Sequence, residues 1–269
     1  LRAHSAMPVT FVSPSSRDRF AIVSRQVRSL CQQVAAFALP TLCGLCGNLS
    51  QRTLCDGCDA AYWNEARLRC TVCAIPLAAS VRRSSQKRDR YRCGDCVTAP
   101  PAFDATFALA DYRAPLDSLV LGLKFRAGLM LAREFGERLA HLAQDSLDAG
   151  SRPEVIAPVP LARRRLVARG YNQAWEIAKP LADALEIRRD ATLIRRIIDT
   201  APQSRLDLDA RRGNVGHAFA VAKPVEGLHV GIVDDVMTSG ATLEAVARTL
   251  RQAGARRVTC FTALRTPKN

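Results

Sequence analysis

At 269 residues, with 48% hydrophobic and 24% charged side chains, the chain has a globular composition and length enough for two domains. No stretch approaches ~18 uninterrupted apolar residues, so no membrane-spanning helix is expected. The formal net charge of +14 fits a solvated basic surface or a polyanionic partner, either nucleic acid or a phosphate-dense ligand.

Residues 1–39 mix Arg, Ser and Asp through their apolar positions and read as a loosely ordered lead-in with no signal-peptide core. A cysteine unit follows over 40–99. Eight of ten cysteines form four C-x-x-C pairs: Cys43/Cys46, Cys55/Cys58, Cys70/Cys73 and Cys93/Cys96. Two intervening residues let a tight knuckle aim both sulfurs at one tetrahedral metal, so the unit is expected to hold two structural Zn²⁺. The simplest pairing is sequential, Cys43, Cys46, Cys55 and Cys58 on one ion and Cys70, Cys73, Cys93 and Cys96 on the other. An interleaved pairing is also compatible with the spacing. Metal-binding thiols without a secretory signal point to a cytoplasmic protein. Between the last two pairs, Arg82, Arg83, Lys87, Arg88, Arg90 and Arg92 face only Asp89 in sign, either a solvated tip or a contact for a nucleic-acid backbone. Cys260 reads as a small buried hydrophobe; Cys31 has no evident role.

Residues 100–269 alternate strands and helices. Strands are expected over 103–112, 155–159, 192–198, 228–233 and 257–264. Helices are expected over 115–125, 129–149, 172–185 and 243–253, with Leu116, Leu119, Val120 and Leu123 on the inward face of the first and Leu243, Val246, Ala247 and Leu250 on that of the last. Such alternation predicts a parallel sheet with helices on both faces. The long Arg-rich stretch 199–219 is expected to be a functional loop.

The acidic tip of the strand at 228–233 carries the chemistry. Asp234 and Asp235 precede a loop of hydroxyls and small residues, then a helix start whose free N–H groups suit a phosphate. Carboxylates suit a vicinal diol instead. Diol acceptors beside a phosphate cradle describe a ribose 5-phosphate site. A Walker B strand would need a Gly-Lys phosphate loop, and the chain has no Gly-Lys dipeptide. A receiver-type acidic pair would lie near the start of its domain.

The run from Val230 to Thr242 (VGIVDDVMTSGAT) resembles the phosphoribosyl pyrophosphate (PRPP) signature of type I phosphoribosyltransferases. Three further stretches resemble the ComF family: Pro158 to Leu161 with Arg169 to Ala174, then Gln203, Leu206, Arg211 and Asn214 ahead of Ala218-Phe219, and the four C-x-x-C pairs. The resemblance implies an α/β fold of type I phosphoribosyltransferase kind, with a parallel sheet, flanking helices and a hood, preceded by a small double zinc ribbon. The hood would draw on 103–125 and the last strand. Asp234 and Asp235 would hold the ribose hydroxyls. Thr238, Ser239, Gly240, Ala241 and Thr242 would hold the 5-phosphate. Pro160, Leu161, Ala162 and Arg163 would take pyrophosphate with Mg²⁺. The 199–214 stretch would close over PRPP, with Arg211 or Arg212 on the pyrophosphate. No general base is identifiable, and the acceptor is not written in the sequence. The family's association with natural competence implies single-stranded DNA and the competence machinery as partners. It leaves open a DNA-handling accessory without turnover or a PRPP sensor.

Overall fold

The second unit is built on five parallel strands, and the cysteine unit packs against both faces of their sheet. The computed structural model describes residues 41–63, 68–77, 91–125, 128–147, 149–198 and 218–268. In the cysteine unit, β1 (Thr41–Leu42) and β2 (Leu49–Ser50) form a small antiparallel ladder, and the short helices α1 (Asp56–Cys58) and α2 (Gly94–Thr98) each start just after a cysteine. The rest runs β3 (Ala105–Asp111), α3 (Asp117–Phe125), α4 (Leu129–Gln144), β4 (Val155–Pro158), α5 (Arg163–Arg169), α6 (Gln173–Leu185) and β5 (Arg188–Arg189). Then come β6 (Ile194–Arg196), β7 (Phe219–Val221), β8 (His229–Met237), α7 (Ala241–Gln252) and β9 (Arg257–Arg265).

The sheet order is β3-β9-β8-β4-β5, all parallel, with β8 at its centre. One face of β8, through Val233, packs with Phe261 and Ile156 against α4 and α6. The other face, through Val230 and Ile232, packs with Val258 and Cys260 against α7. Both faces are apolar because a parallel sheet is covered on both sides. Cys260 is fully buried among them, as expected.

Each cysteine tetrad joins a different face. Cys43, Leu54, Cys58 and Trp63 belong to the α4–α6 core, while Cys70, Val72, Ile75 and Cys96 belong to the α7 core. Trp63 stacks on Phe135 of α4 with ring centroids 5.7 Å apart, and Arg138 lies over the Trp63 ring while pairing with Asp59 at 2.6 Å.

The structure departs from the sequence expectations in four places. The helix from Leu129 stops at Gln144, where the Ser146 N–H tightens to the i−3 carbonyl of Ala143. The expected strand at 192–198 is only β6. It leaves the parallel sheet to pair antiparallel with β7, and the sheet edge is instead the two-residue β5. The last strand, β9, is no part of a hood; it lies in the core sheet between β3 and β8. Finally, β8 continues past the acidic pair to Met237. Val236 and Met237 still pair with Leu264 and Arg265 of β9, and that ladder holds the strand straight. The basic stretch at 82–90, Cys31, and the loop with Gln203, Leu206, Arg211, Arg212 and Asn214 lie outside the described residues.

Helices α4 and α6 meet at Gly136, where an added Cβ would sit 2.4 Å from Pro180 Cγ and 2.6 Å from the Ile177 carbonyl oxygen. Alanine ordinarily favours a helix interior over glycine by ~1 kcal/mol. Here overpacking against backbone costs more, about 1–3 kcal/mol. Gly136→Ala is therefore expected to lower the melting temperature by a few degrees, at ~2–4 °C per kcal/mol for a chain of this size. Calorimetry showing an unchanged or raised Tm would contradict this packing.

Candidate functional site

The acidic pair lies within β8, and its two carboxyls are close enough to interact directly with one another. Asp235 points to the α3 side, where its Oδ2 lies 3.1 Å from Lys124 Nζ; both side chains are largely buried. Asp234 Oδ1 accepts the Asp235 backbone N–H at 2.9 Å. Burial, then the neighbouring charge of Asp235, pushes Asp234 up to about 8, with the Lys124 cation pulling the other way. The pair therefore holds a proton more tightly than two separate carboxyls would.

Met237 leads into the three-residue loop Thr238-Ser239-Gly240, with Thr238 and Ser239 exposed. Gly240 has φ +85°, a backbone conformation that favours glycine. Helix α7 starts at Ala241, whose backbone N–H donates to Ser239 Oγ at 3.4 Å, and the first turn of a helix has N–H groups with no partner inside the helix. Glu244, the acid in that turn, is engaged elsewhere: it accepts from the Ala102 N–H at 2.8 Å and pairs with Arg248 at 2.8 Å.

The loop Pro160-Leu161-Ala162 leaves β4, the neighbour of β8, at the same end of the sheet. Val159 N–H donates to the Val233 carbonyl at 2.8 Å. Asn172 holds this loop from below: its Nδ2 donates to the Val159 carbonyl at 3.0 Å while its Oδ1 caps α6 through Ala174 N–H. Arg163 is exposed at the start of α5. On the far side of that loop an open cavity of about 610 Å³ is lined by Leu161, Arg163, Leu166, Thr192 and Arg195. None of its lining comes from the loop at 238–240, but it shares Pro160, Leu161 and Arg163 with the candidate site and so adjoins its β4 side.

The structure therefore gathers Asp234, Asp235, Thr238 to Thr242 and Pro160 to Arg163 at one end of the sheet. Arg211 and Arg212 fall outside the described residues. Sequence reasoning missed Lys124. Its one signal was to be the only cation in a nine-residue helix whose last seven residues are otherwise apolar. Two contacts hold it in place. The Tyr171 hydroxyl donates to the carbonyl of Leu123, and Arg169 stacks over the Phe125 ring at 5.5 Å. Arg265, buried at the end of β9, was missed as well; it donates to the carbonyls of Met237, Thr238 and Cys73.

The eight cysteines fall into the two sequential sets, with all sulfurs of a set within 4.8 Å of one another. Four thiolates around Zn²⁺ at ~2.3 Å stand about 3.8 Å apart. Cys46 and Cys55 are 3.7 Å apart and Cys73 and Cys93 are 3.6 Å apart, too far for disulfides and right for a shared ion. In each set a backbone N–H donates to a sulfur at 3.3 Å, Cys55 to Cys43 and Cys93 to Cys70, an arrangement that favours thiolate. The hydrogen bond from Cys73, followed by backbone N–H groups, brings Cys70 down to about 4 despite burial. Both sets could hold Zn²⁺.

A parallel sheet with an acidic pair and phosphate-sized loop at the end of its central strand defines a phosphoribosyltransferase-type domain. The family model described as "Phosphoribosyl transferase domain" matches residues 172–269. "DNA utilization protein YhgH" of Salmonella typhimurium is 34% identical over 237 residues, covering 85% of this chain and 98% of that protein. "Competence protein F" of Haemophilus influenzae is 31% identical over 215 residues, covering 77% and 89%. The chain belongs to the ComF family. Among solved structures, the purine phosphoribosyltransferase of Pyrococcus horikoshii Ot3 aligns over 51% of this chain and 84% of its own at 19% identity, with a TM-score of 0.32. No helix among the described residues is long and apolar enough to cross a membrane.

Asp234 sets a pH signature. Its folded value near 8 lies above its unfolded value near 4, so the folded chain holds the extra proton between them. The contribution of the neutral form is fully present below about pH 4, and it is lost as pH rises through about 8. Asp234→Asn keeps a neutral group throughout. Its Tm advantage over the parent is expected to widen by a few degrees between pH 5.5 and 8.5. A constant offset across that range would contradict the buried, protonated carboxyl.

Proposed function

We propose that this end of the sheet binds PRPP with Mg²⁺ and that the protein acts as a phosphoribosyltransferase-type member of a DNA-utilisation or competence system. The observation that carries the reading is the acidic pair on the central strand running directly into the Thr238-Ser239-Gly240 loop and the first turn of α7. Asp235, with Oδ2 on Lys124, keeps Oδ1 for a ribose hydroxyl, and Asp234 supplies the acceptor for the second. The loop hydroxyls and the N–H groups of Ala241 and Thr242 receive the 5-phosphate. Pro160 to Arg163 lie on the side where pyrophosphate would sit, and Mg²⁺ would supply charge neutralisation of that group. With the reactants so held, departure of pyrophosphate from the anomeric carbon is assisted mainly by position and by fixed positive charge. Lys124 contributes one such charge beside the ribose.

A second reading, a nucleic-acid-handling role without transfer, draws on α5. No residue of that helix is buried, and it presents Arg163, Arg164 and Arg165 next to Val167. The names of the two relatives, DNA utilization and competence, point the same way.

Saturating PRPP and Mg²⁺, at about 100 times the dissociation constant, should stabilise the protein by ~2.7 kcal/mol. Changing both Asp234 and Asp235 to Asn is expected to abolish that shift in thermal unfolding. An undiminished shift in the double variant would remove the site from this strand. Lys124→Gln is expected to weaken PRPP binding about tenfold, the loss of one partly buried charge contact, and Lys124→Arg to restore most of it. Equal affinity in all three proteins would make Lys124 a packing residue. Metal analysis is expected to find two Zn²⁺ per chain, one for each tetrad, and only one in Cys46→Ser. Unchanged zinc in that variant would contradict the first tetrad.

A further inference from the structure

The guanidinium of Arg265 joins two parts of the molecule that lie far apart in sequence. It ends β9 and is only 4% exposed. Its Nε donates to the carbonyl of Cys73 at 2.9 Å. Its Nη1 donates to the carbonyls of Met237 at 2.9 Å, of Thr266 at 2.8 Å, and of Thr238. Cys73 belongs to the second tetrad, and Met237 and Thr238 open the phosphate loop. We propose that Arg265 is a positioning residue that ties the second cysteine tetrad to the phosphate loop, so that Zn²⁺ in that tetrad fixes how the loop presents its N–H groups.

The loop side follows from peptide geometry. In a trans peptide the carbonyl of one residue and the N–H of the next point in opposite directions. With the carbonyls of Met237 and Thr238 both drawn inward to Arg265, the N–H groups of Thr238 and Ser239 are turned away from it, toward the open end of the sheet. A guanidinium can hold the knuckle through Nε and the loop through Nη1 at a fixed angle, because its donors form a rigid planar fork; an ammonium offers its three donors from a single atom and cannot span both places.

The knuckle side is equally constrained. Ala74 N–H closes the turn onto the Cys70 carbonyl at 2.8 Å, and Ala74 takes φ +56°, a conformation that side chains disfavour. Arg69 grips the Ala74 carbonyl at 3.0 Å and reaches Asp111 at 2.8 Å, and Asp111 pairs in register with Arg265 across β3 and β9. The direction of the Cys73 carbonyl is therefore set by the knuckle, which a metal would close. Charge adds to this. A buried cation is costly unless compensated, and four thiolates around Zn²⁺ leave a net charge of −2 close to Arg265. Loss of the ion removes both the fixed turn and the compensating charge.

The link stands on this geometry alone; only the nature of the bound phosphate rests on the PRPP reading. The test is hydrogen exchange of the full-length, zinc-loaded protein, read at the peptide covering 237–242 against one from α6, together with ribose 5-phosphate affinity. Arg265→Lys is expected to keep both zinc ions and an α6 peptide that exchanges like the parent's. Its loop should exchange about tenfold faster, and ribose 5-phosphate should bind about tenfold more weakly, within the usual range of coupling between sites. Stripping zinc with a chelator should accelerate the same loop in the parent and add little in Arg265→Lys, the non-additivity expected of one pathway. Parental loop exchange in Arg265→Lys, or an equal effect of chelation on both proteins, would overturn the proposal. Should Arg265→Lys fail to fold, the parent decides alone: zinc released with the loop's exchange unaltered overturns the link. Parental protein that shows the loop response but does not bind ribose 5-phosphate would sustain the link and count against the PRPP reading.

Discussion

Two adjacent carboxylates at the end of a central strand, both mostly withdrawn from water, cannot both ionise without compensation. Much of the surrounding architecture answers that constraint. Lys124 is brought against Asp235 at 3.1 Å, and its helix is pinned in turn by Tyr171 and Arg169. The pair itself answers by holding a proton more tightly than two separate carboxyls would. The arrangement costs stability when empty and is best suited to a ligand that brings hydroxyl donors to one side and a cation to the other. A diol carrying a magnesium-bound pyrophosphate has that composition.

The cysteine unit acts as a support of this site on both faces of the sheet. The first tetrad, through Trp63 on Phe135 and Arg138 on Asp59, braces α4 next to the helix that carries Lys124. The second braces the phosphate loop through Arg265. The sheet has five strands among the described residues, with one edge a two-residue strand, and knuckles closed by a metal would supply rigidity that a larger core would otherwise provide.

How much of this was legible in the sequence depended on whether the signal was local. The sequential tetrads were readable because C-x-x-C spacing is itself the knuckle. The loop between β8 and α7 was readable because a hydroxyl-rich run before an amphipathic helix is a local pattern, and the buried faces of α3 and α7 followed from their periodicity. What failed was decided by partners distant in sequence. Nothing within 228–237 says that β8 passes through its acidic pair; the ladder to Leu264 and Arg265 decides it. The apolar run at 192–198 looks like any strand of the parallel sheet, yet its partner is β7. Lys124 and Arg265 are single cations whose meaning comes from residues about 110 positions away in one case and nearly 200 in the other, as the pairs Lys124–Asp235 and Cys73–Arg265 show. No spacing rule reaches that far.

The most direct test of the central claim is a crystal structure of the protein with Mg²⁺ and PRPP. The proposed site predicts the 5-phosphate against Ser239 to Thr242, the ribose hydroxyls on Asp234 and Asp235, and pyrophosphate toward Pro160 to Arg163. Density for PRPP in the cavity between Leu161 and Arg195, with the loop at 238–240 left empty, would contradict it.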